Sequence, residues 1–142
     1  MLFKDCLCFQ VGKVSRKMAK LTRDAVAPYG LTTTQFFLLT ALYEEEDISI
    51  SALAQKVVLD KATLTGLIDR LERDGFATRR IDPEDRRSVR VRLTPKAERL
   101  RKTLTDLYHN INRRFLSFLT EEERKNFEQV VSKIENADLV EG

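Results

Sequence analysis

The chain has 142 residues, 42% hydrophobic and 33% charged, with 25 Lys and Arg against 22 Asp and Glu for a net charge of +3. That is the size of one domain able to bury its own core, and no run approaches the roughly 20 apolar residues of a membrane span. One histidine, His109, two cysteines, Cys6 and Cys8, and five scattered glycines supply neither a zinc finger nor a phosphate-cradling loop, so no metal or cofactor is expected.

The opening Met1-Leu2-Phe3-Lys4-Asp5 turns charged at once, which argues against a secretory signal and for a cytoplasmic protein. From Leu7 onward, Val11, Val14, Met18, Leu21 and Ala25 recur in alternating steps of four and three, with lysines and arginines on the other faces. This spacing predicts a long amphipathic helix, ended by Pro28 and Gly30, whose narrow stripe suits a seam against another helix. Thr32, Thr33 and Thr34 offer caps for a second helix carrying Phe36, Phe37, Leu39 and Leu42, closed by the acidic break Glu44-Glu45-Glu46-Asp47. Ile48-Ser49-Ile50 is long enough for one edge strand only. Ser51 is then expected to cap a short helix through Ala52, Leu53, Ala54 and Val57.

Asp60 caps the next helix, with Leu64, Leu67, Ile68 and Leu71 on one face and Gly75 as its stop. Two short helices joined by a brief turn form a helix-turn-helix, which turns the polar face of its second helix to the major groove. The candidate groove-facing positions are Lys61, Ala62, Thr63, Thr65, Gly66, Asp69 and Arg70, short near the helix start and basic farther along. Residues 76–81 and 88–93 read as strands, the second alternating Val89, Val91 and Leu93 with Arg90 and Arg92. Between them lies the charged turn Asp82-Pro83-Glu84-Asp85-Arg86-Arg87. A hairpin in this place is a wing, able to carry arginine to a minor groove.

Thr94 and Pro95 open a long helix striped by Leu100, Leu104, Leu107, Ile111, Phe115 and Phe118, on which His109 reads as a partly exposed residue. Thr120 caps a last helix with Phe127, Val130, Val131 and Ile134. Charge is uneven along the chain. From Phe76 to Lys96 there are seven cations against three anions, whereas from Glu121 to the end three cations face seven anions, Glu141 included. One face built for a polyanion is the reading this favours, with a solvated charged surface as its alternative.

Taken together, this order of elements resembles the MarR family of winged-helix repressors over almost the whole chain. Residues 59–76, followed by Arg79-Arg80 and Asp82-Pro83-Glu84-Asp85-Arg86-Arg87-Ser88, carry the resemblance most specifically. It implies a mainly α fold with a small β-hairpin wing. Residues 1–30 and 95–142 would be dimerisation helices, and residues 31–94 a winged helix-turn-helix lobe. The implied partners are a second copy of the chain, a pseudo-palindromic duplex operator and a small aromatic effector, with no membrane. On this basis Lys61, Thr63, Thr65, Gly66, Arg70, Arg86, Arg87 and Arg90 are candidate DNA contacts, with Asp85 orienting Arg87 for the minor groove. Phe9, Phe36, Phe37, Tyr43 and Phe115 are the candidate lining of an effector pocket.

The segment Leu7-Cys8-Phe9, followed by Val14-Ser15-Arg16-Lys17-Met18, is similar to the thiol-based branch of that family, which includes organic-hydroperoxide sensors. Cys8 is then the candidate redox thiol, with Cys6 beside it, and release of a repressor by oxidation or by a small ligand is the implied regulation. The tyrosines that flank the thiol in those sensors are matched here by Gly12, Thr22 and Thr33. Read from residues alone, the two cysteines fit a redox pair, metal ligands or small apolar side chains at a helical seam. An alternative of another class is a thiol peroxidase built on Cys8, for which Lys4, Lys13 and Arg16 offer cations and no base is evident.

Overall fold

The computed structural model describes residues 2–138; Met1 and residues 139–142, with Glu141 of the acidic tail, lie outside the described residues. Among the described residues, six α-helices and three strands, with short 3-10 turns at Phe3–Asp5 and Ala27–Tyr29, occur in the order α1 (Leu7–Val26), α2 (Thr33–Glu44), β1 (Ile48–Ser49), α3 (Ile50–Lys56), α4 (Lys61–Arg73), β2 (Ala77–Ile81), β3 (Val89–Leu93), α5 (Pro95–Leu116) and α6 (Glu121–Glu135). No described helix is long and apolar enough to cross a membrane.

Local capping chemistry sets most of these boundaries. The Thr32 hydroxyl accepts the Gln35 N–H at 3.1 Å while the Gln35 side chain accepts the Thr32 N–H at 3.0 Å, a reciprocal cap that starts α2. Thr120 and Glu123 start α6 with the same reciprocal cap, whereas Asp60 and Thr94 start α4 and α5 by accepting the N–H groups of Thr63 and Ala97. One cap differs from expectation. Ser49, not Ser51, accepts the Ala52 N–H, and Ile50 is already helical. The strand is cut to two residues because Ile48 and Ser49 pair with Val91 and Arg90, after which the chain turns at once into α3.

The sheet is a three-stranded antiparallel one in the order β1-β3-β2. Its register puts Ala77 opposite Leu93, Arg79 opposite Val91 and Arg80 opposite Arg90. The core gathers Phe36 and Leu39 of α2, Leu53 of α3, Leu64 and Ile68 of α4 and Leu104 of α5, each at most 1% exposed. A fully buried side chain of this kind stabilises the fold by roughly 1.5–3 kcal/mol.

The C-terminus of α4 is held from two sides. Gly75, at φ 79°, lets its N–H donate to Glu72 and the Phe76 N–H donate to Leu71, closing the helix with a left-handed residue. Thr94 then donates its hydroxyl to the Gly75 carbonyl at 2.6 Å, and the Gln35 amide donates to Asp74 at 2.7 Å. The α3–α4 turn closes similarly at Val58, with φ 54°, where the Leu59 N–H donates to Ala54.

The outer helices are less complete. In α1, Leu7, Val11 and Val14 are exposed, and α6 has no buried residue, with Phe127, Val130, Val131 and Ile134 all about half exposed. Phe118, expected on the α5 stripe, lies beyond the helix end and is 85% exposed.

Candidate nucleic-acid interface

Helix α4 buries Leu64, Ile68 and Leu71 and thereby turns Lys61, Ala62, Thr63, Thr65, Gly66, Asp69 and Arg70 outward. Asp60 fixes the start of this face. Its carboxylate accepts the Thr63 N–H at 2.8 Å and the Thr63 hydroxyl at 2.7 Å, and these bonds hold it below the usual carboxylate range. The Thr63 oxygen keeps its acceptor lone pairs for other partners. A Cβ placed on Gly66 would meet nothing within 4 Å, so the backbone there stands open to close approach.

The hairpin tip is built by two aspartates. Asp82 accepts the Glu84 N–H at 3.0 Å, and Asp85 accepts the Arg87 N–H at 3.0 Å. Asp85 thus acts on the main chain of Arg87 and makes no ion pair with its guanidinium. Among the described residues, the side chains of Arg86 and Arg87 form no hydrogen bond or ion pair, and both are exposed. They stand at the tip as open cations.

The other wing arginines are committed inside the chain. Arg90, a candidate DNA contact by sequence, donates its Nε to Asp82 at 2.6 Å and its Nη1 to the Asp47 carbonyl, so its guanidinium holds the wing together. Arg80 pairs through two nitrogens with the Asp47 carboxylate, which Arg92 also approaches at 3.3 Å. Hydrogen bonding from Arg80, with its charge and that of Arg92, lowers the Asp47 carboxyl to about 2. Arg79, on the opposite face of β2, donates to the Thr65 carbonyl at 3.0 Å and pairs with Asp69. Sequence reasoning missed Asp47 and Arg79 as residues that fix the wing. The available signal was the register, because Arg80 opposite Arg90 needs carboxylates to offset like charge.

The five aromatic residues expected to share a pocket are distributed over separate places. Phe36 is fully buried in the core, and Phe9 stacks on Phe3 with ring centroids 4.4 Å apart. Phe115 lines a groove of about 700 Å³ between α1, the end of α5 and α6, together with Met18, Leu21 and Phe127. Phe37 and Tyr43 line a second cavity of about 580 Å³ with Lys56, Arg101, Tyr108 and His109. There the Arg101 guanidinium lies 5.0 Å from the Tyr43 ring centre, and the Tyr43 hydroxyl donates to the Ala97 carbonyl at 2.7 Å. Burial pushes the Tyr43 phenol up to about 12. Both cysteines are free thiols. Cys8 is exposed in the first turn of α1, whereas Cys6 precedes that helix as its half-buried cap residue and does not share its periodicity.

Comparison with known proteins gives this arrangement a context. The MarR family profile matches residues 31–89, from the start of the helix-turn-helix lobe to the second wing strand. The transcriptional regulator SarZ of Staphylococcus epidermidis is 31% identical over 84% of this chain and 80% of its own length. The organic hydroperoxide resistance transcriptional regulator of Bacillus subtilis is 31% identical over 75% of this chain and 73% of its own. Among solved structures, a mutant MarR from E. coli complexed with operator DNA superposes with a TM-score of 0.83 at 25% identity, covering 90% of this chain and 92% of that one.

Proposed function

The chain belongs to the MarR family and is a DNA-binding transcriptional regulator, and from that premise we propose that it acts as a homodimeric repressor reading a pseudo-palindromic duplex operator. The observation that carries this reading is the pairing of one open helix face with one open wing tip. Thr63, Thr65 and the Gly66 backbone would approach base edges in the major groove, and Lys61 and Arg70 would meet phosphates. Arg86 and Arg87 would reach the flanking minor groove. Asp85 serves them by shaping the turn.

The second copy of the chain is supported by the apolar side chains that one protomer leaves in water. Leu7, Val11 and Val14 of α1 and Phe127, Val130 and Val131 of α6 are 46–69% exposed, on the helices at the two chain ends. Closing such a seam sets the spacing of two reading helices at about 34 Å, one duplex turn. Residues 1–30 and 95–142 then form the dimer lobe and residues 31–94 the reading lobe.

Two routes of release are open to this design. The cavity beside Phe37 and Tyr43, with Tyr108 on its wall, suits a small aromatic effector. Exposed Cys8, at the start of α1, suits oxidation to a sulfenic acid that disturbs the seam. Neither route makes the chain an enzyme, and the relatives named above are regulators, which leaves the peroxidase alternative without support.

The test is a titration of the purified protein against a duplex selected from a random pool and against unselected duplex, at several salt concentrations, with the assembly state measured by sedimentation. Preference for the selected duplex, a steep salt dependence and a dimer are expected. Equal grip on both duplexes, or a stable monomer, removes the proposal. Reduced protein, peroxide-treated protein and a Cys8→Ser variant compared in the same titration separate the redox route from the ligand route.

A further inference from the structure

The acidic run Glu44-Glu45-Glu46-Asp47, which in sequence only separates α2 from β1, is gripped in the fold by three different elements. Lys56 of α3 reaches Glu44 at 2.9 Å and Glu45 at 3.9 Å. Arg101 of α5 pairs with Glu46 and donates to the Tyr43 carbonyl at 2.8 Å. Arg80 and Arg92 of the wing take the Asp47 carboxylate, and Arg90 takes its carbonyl. Residues 44–47 are therefore a shared anchor for the first helix of the reading motif, the long helix of the dimer lobe and the wing.

We infer that this turn sets the angle of the wing relative to α5, with Asp47 as the positioning residue that aims Arg86 and Arg87 at DNA. The inference rests on the DNA-binding reading above and deepens it. Three observations carry it.

First, the two grips that matter are many-pointed. Arg80 uses two nitrogens on one carboxylate, and Arg101 is itself fixed by Glu98 at 2.8 Å and by the face of Tyr43. Forked guanidinium–carboxylate contacts define orientation as well as distance. Second, Asp47 has φ 56°, a left-handed conformation that non-glycine side chains seldom adopt and that Asn and Asp tolerate best. The turn is thereby committed to one shape, which presents the carboxylate to the wing while the chain enters β1. Third, β1 pairs with β3, so the turn is joined through its own strand to the one that carries Arg90 and Arg92. Beside the direct chain connection from β3 to α5 through Thr94, a displacement of α5 that pulls Arg101 reaches the far side of the wing through Glu46 and Asp47.

Arg80 opposite Arg90 adds a reason for the arrangement. Two cations face each other across the ladder, and the carboxylates of Asp47 and Asp82 hold them apart in fixed directions. Without Asp47, Arg80 would repel Arg90 and lose its direction, and the hairpin would be free to swing on its tip side.

The experiment uses the full-length dimer on its selected operator. Asp47→Asn keeps the shape and the left-handed preference of the residue and removes the charge. Arg80→Gln removes the same pair from the wing, and Arg101→Gln releases the turn from α5. Each is footprinted with hydroxyl radicals, which report the flanking minor groove, and with dimethyl sulfate, which reports guanine in the central major groove. Melting temperature and sedimentation are measured alongside. Expected for all three is about tenfold weaker operator binding, with loss of flanking minor-groove protection and retention of central major-groove protection. The dimer should persist.

A wild-type flanking footprint in Asp47→Asn and Arg80→Gln overturns the role of Asp47, and one in Arg101→Gln overturns the link to α5. Loss of both footprints together, in proportion to a fall in melting temperature, also overturns the inference, because that is what a general fold defect produces. Failure of the unmodified protein to protect any duplex is a different result and strikes the DNA-binding reading itself.

Discussion

The guanidinium of Arg79 donates to the main-chain carbonyl of Thr65 at 3.0 Å, so the first strand of the wing is tied to the middle of the outward helix. The same side chain pairs with Asp69, and the Arg79 backbone N–H donates to Glu72 at 3.0 Å. Arg79→Ala removes charge-assisted bonds from a side chain that is 25% exposed. We expect a loss of about 1–3 kcal/mol in urea unfolding, with weaker operator binding as well. A change under about 0.5 kcal/mol, typical of an ordinary surface substitution, would show that the tie is ornamental.

Arg87 shows the opposite pattern. It is exposed and its guanidinium has no partner among the described residues, so Arg87→Ala should leave folding within about 0.5 kcal/mol of wild type. Operator affinity should fall by about 1–3 kcal/mol, with a salt slope shallower by about one counterion. A gel-shift titration at three salt concentrations measures both quantities, and unchanged affinity would remove the tip from the mechanism.

Asp85 separates two ways of serving an arginine. Because its carboxylate accepts the Arg87 N–H at 3.0 Å, an amide oxygen can do the same work. Asp85→Asn should therefore bind operator nearly as wild type does, while Asp85→Ala should resemble Arg87→Ala in affinity. Equal loss in both variants would restore an ion pair as the operative contact.

Gly66 occupies the exposed face of α4 with open space where a Cβ would sit. Gly66→Ala should stabilise the helix by about 1 kcal/mol, the usual difference between these residues in a helix interior. The added methyl would also stand between the backbone and an approaching duplex, so operator binding should weaken as the melting temperature rises. A variant more stable and equally tight would place the duplex farther from this turn of the helix.

Acid should unfold the protein through its paired aspartates. The carboxyl of Asp47 lies at about 2 against an ordinary 3.8, held down first by its bond to Arg80. Asp82 is lowered by Arg90, Asp74 by Gln35 and Asp60 by Thr63. Groups whose folded values lie below their unfolded ones add stability above the unfolded value and lose it as pH falls through the folded one. The melting temperature should thus hold steady down to about pH 4 as far as these groups are concerned, and fall between about pH 4 and 2. Asp47→Asn should show a shallower acid limb, and an unchanged limb would mean that the Arg80 pair contributes nothing to folding.

Much of this was legible in the sequence because it is local. Caps at Thr32, Asp60, Thr94 and Thr120 lie within three residues of the N–H groups they satisfy, and the helical stripes repeat over one or two turns. What escaped depends on contacts far along the chain. Nothing near Arg80 announces Asp47, 33 residues earlier, and Arg90 and Arg87 look alike until the register turns one toward Asp82 and leaves the other in water. The helix start at Ser49 likewise depends on pairing with a strand 41 residues later. Aromatic residues mislead for a related reason. Phe36 and Phe37 are neighbours, yet the helix sends one into the core and the other to a cavity.

The bare flank of α6 links this protein's copy number to its shape. A helix with no fully buried residue, whose apolar side chains are only half covered by its own chain, leans on capping and propensity to stay wound, and 15 residues are marginal on those terms. Association would supply the missing packing, so winding of the chain ends and pairing of two chains become one mass-action equilibrium. Dilution alone would then unravel the scaffold that spaces the two reading heads, and a cell could retire the regulator simply by ceasing to make it.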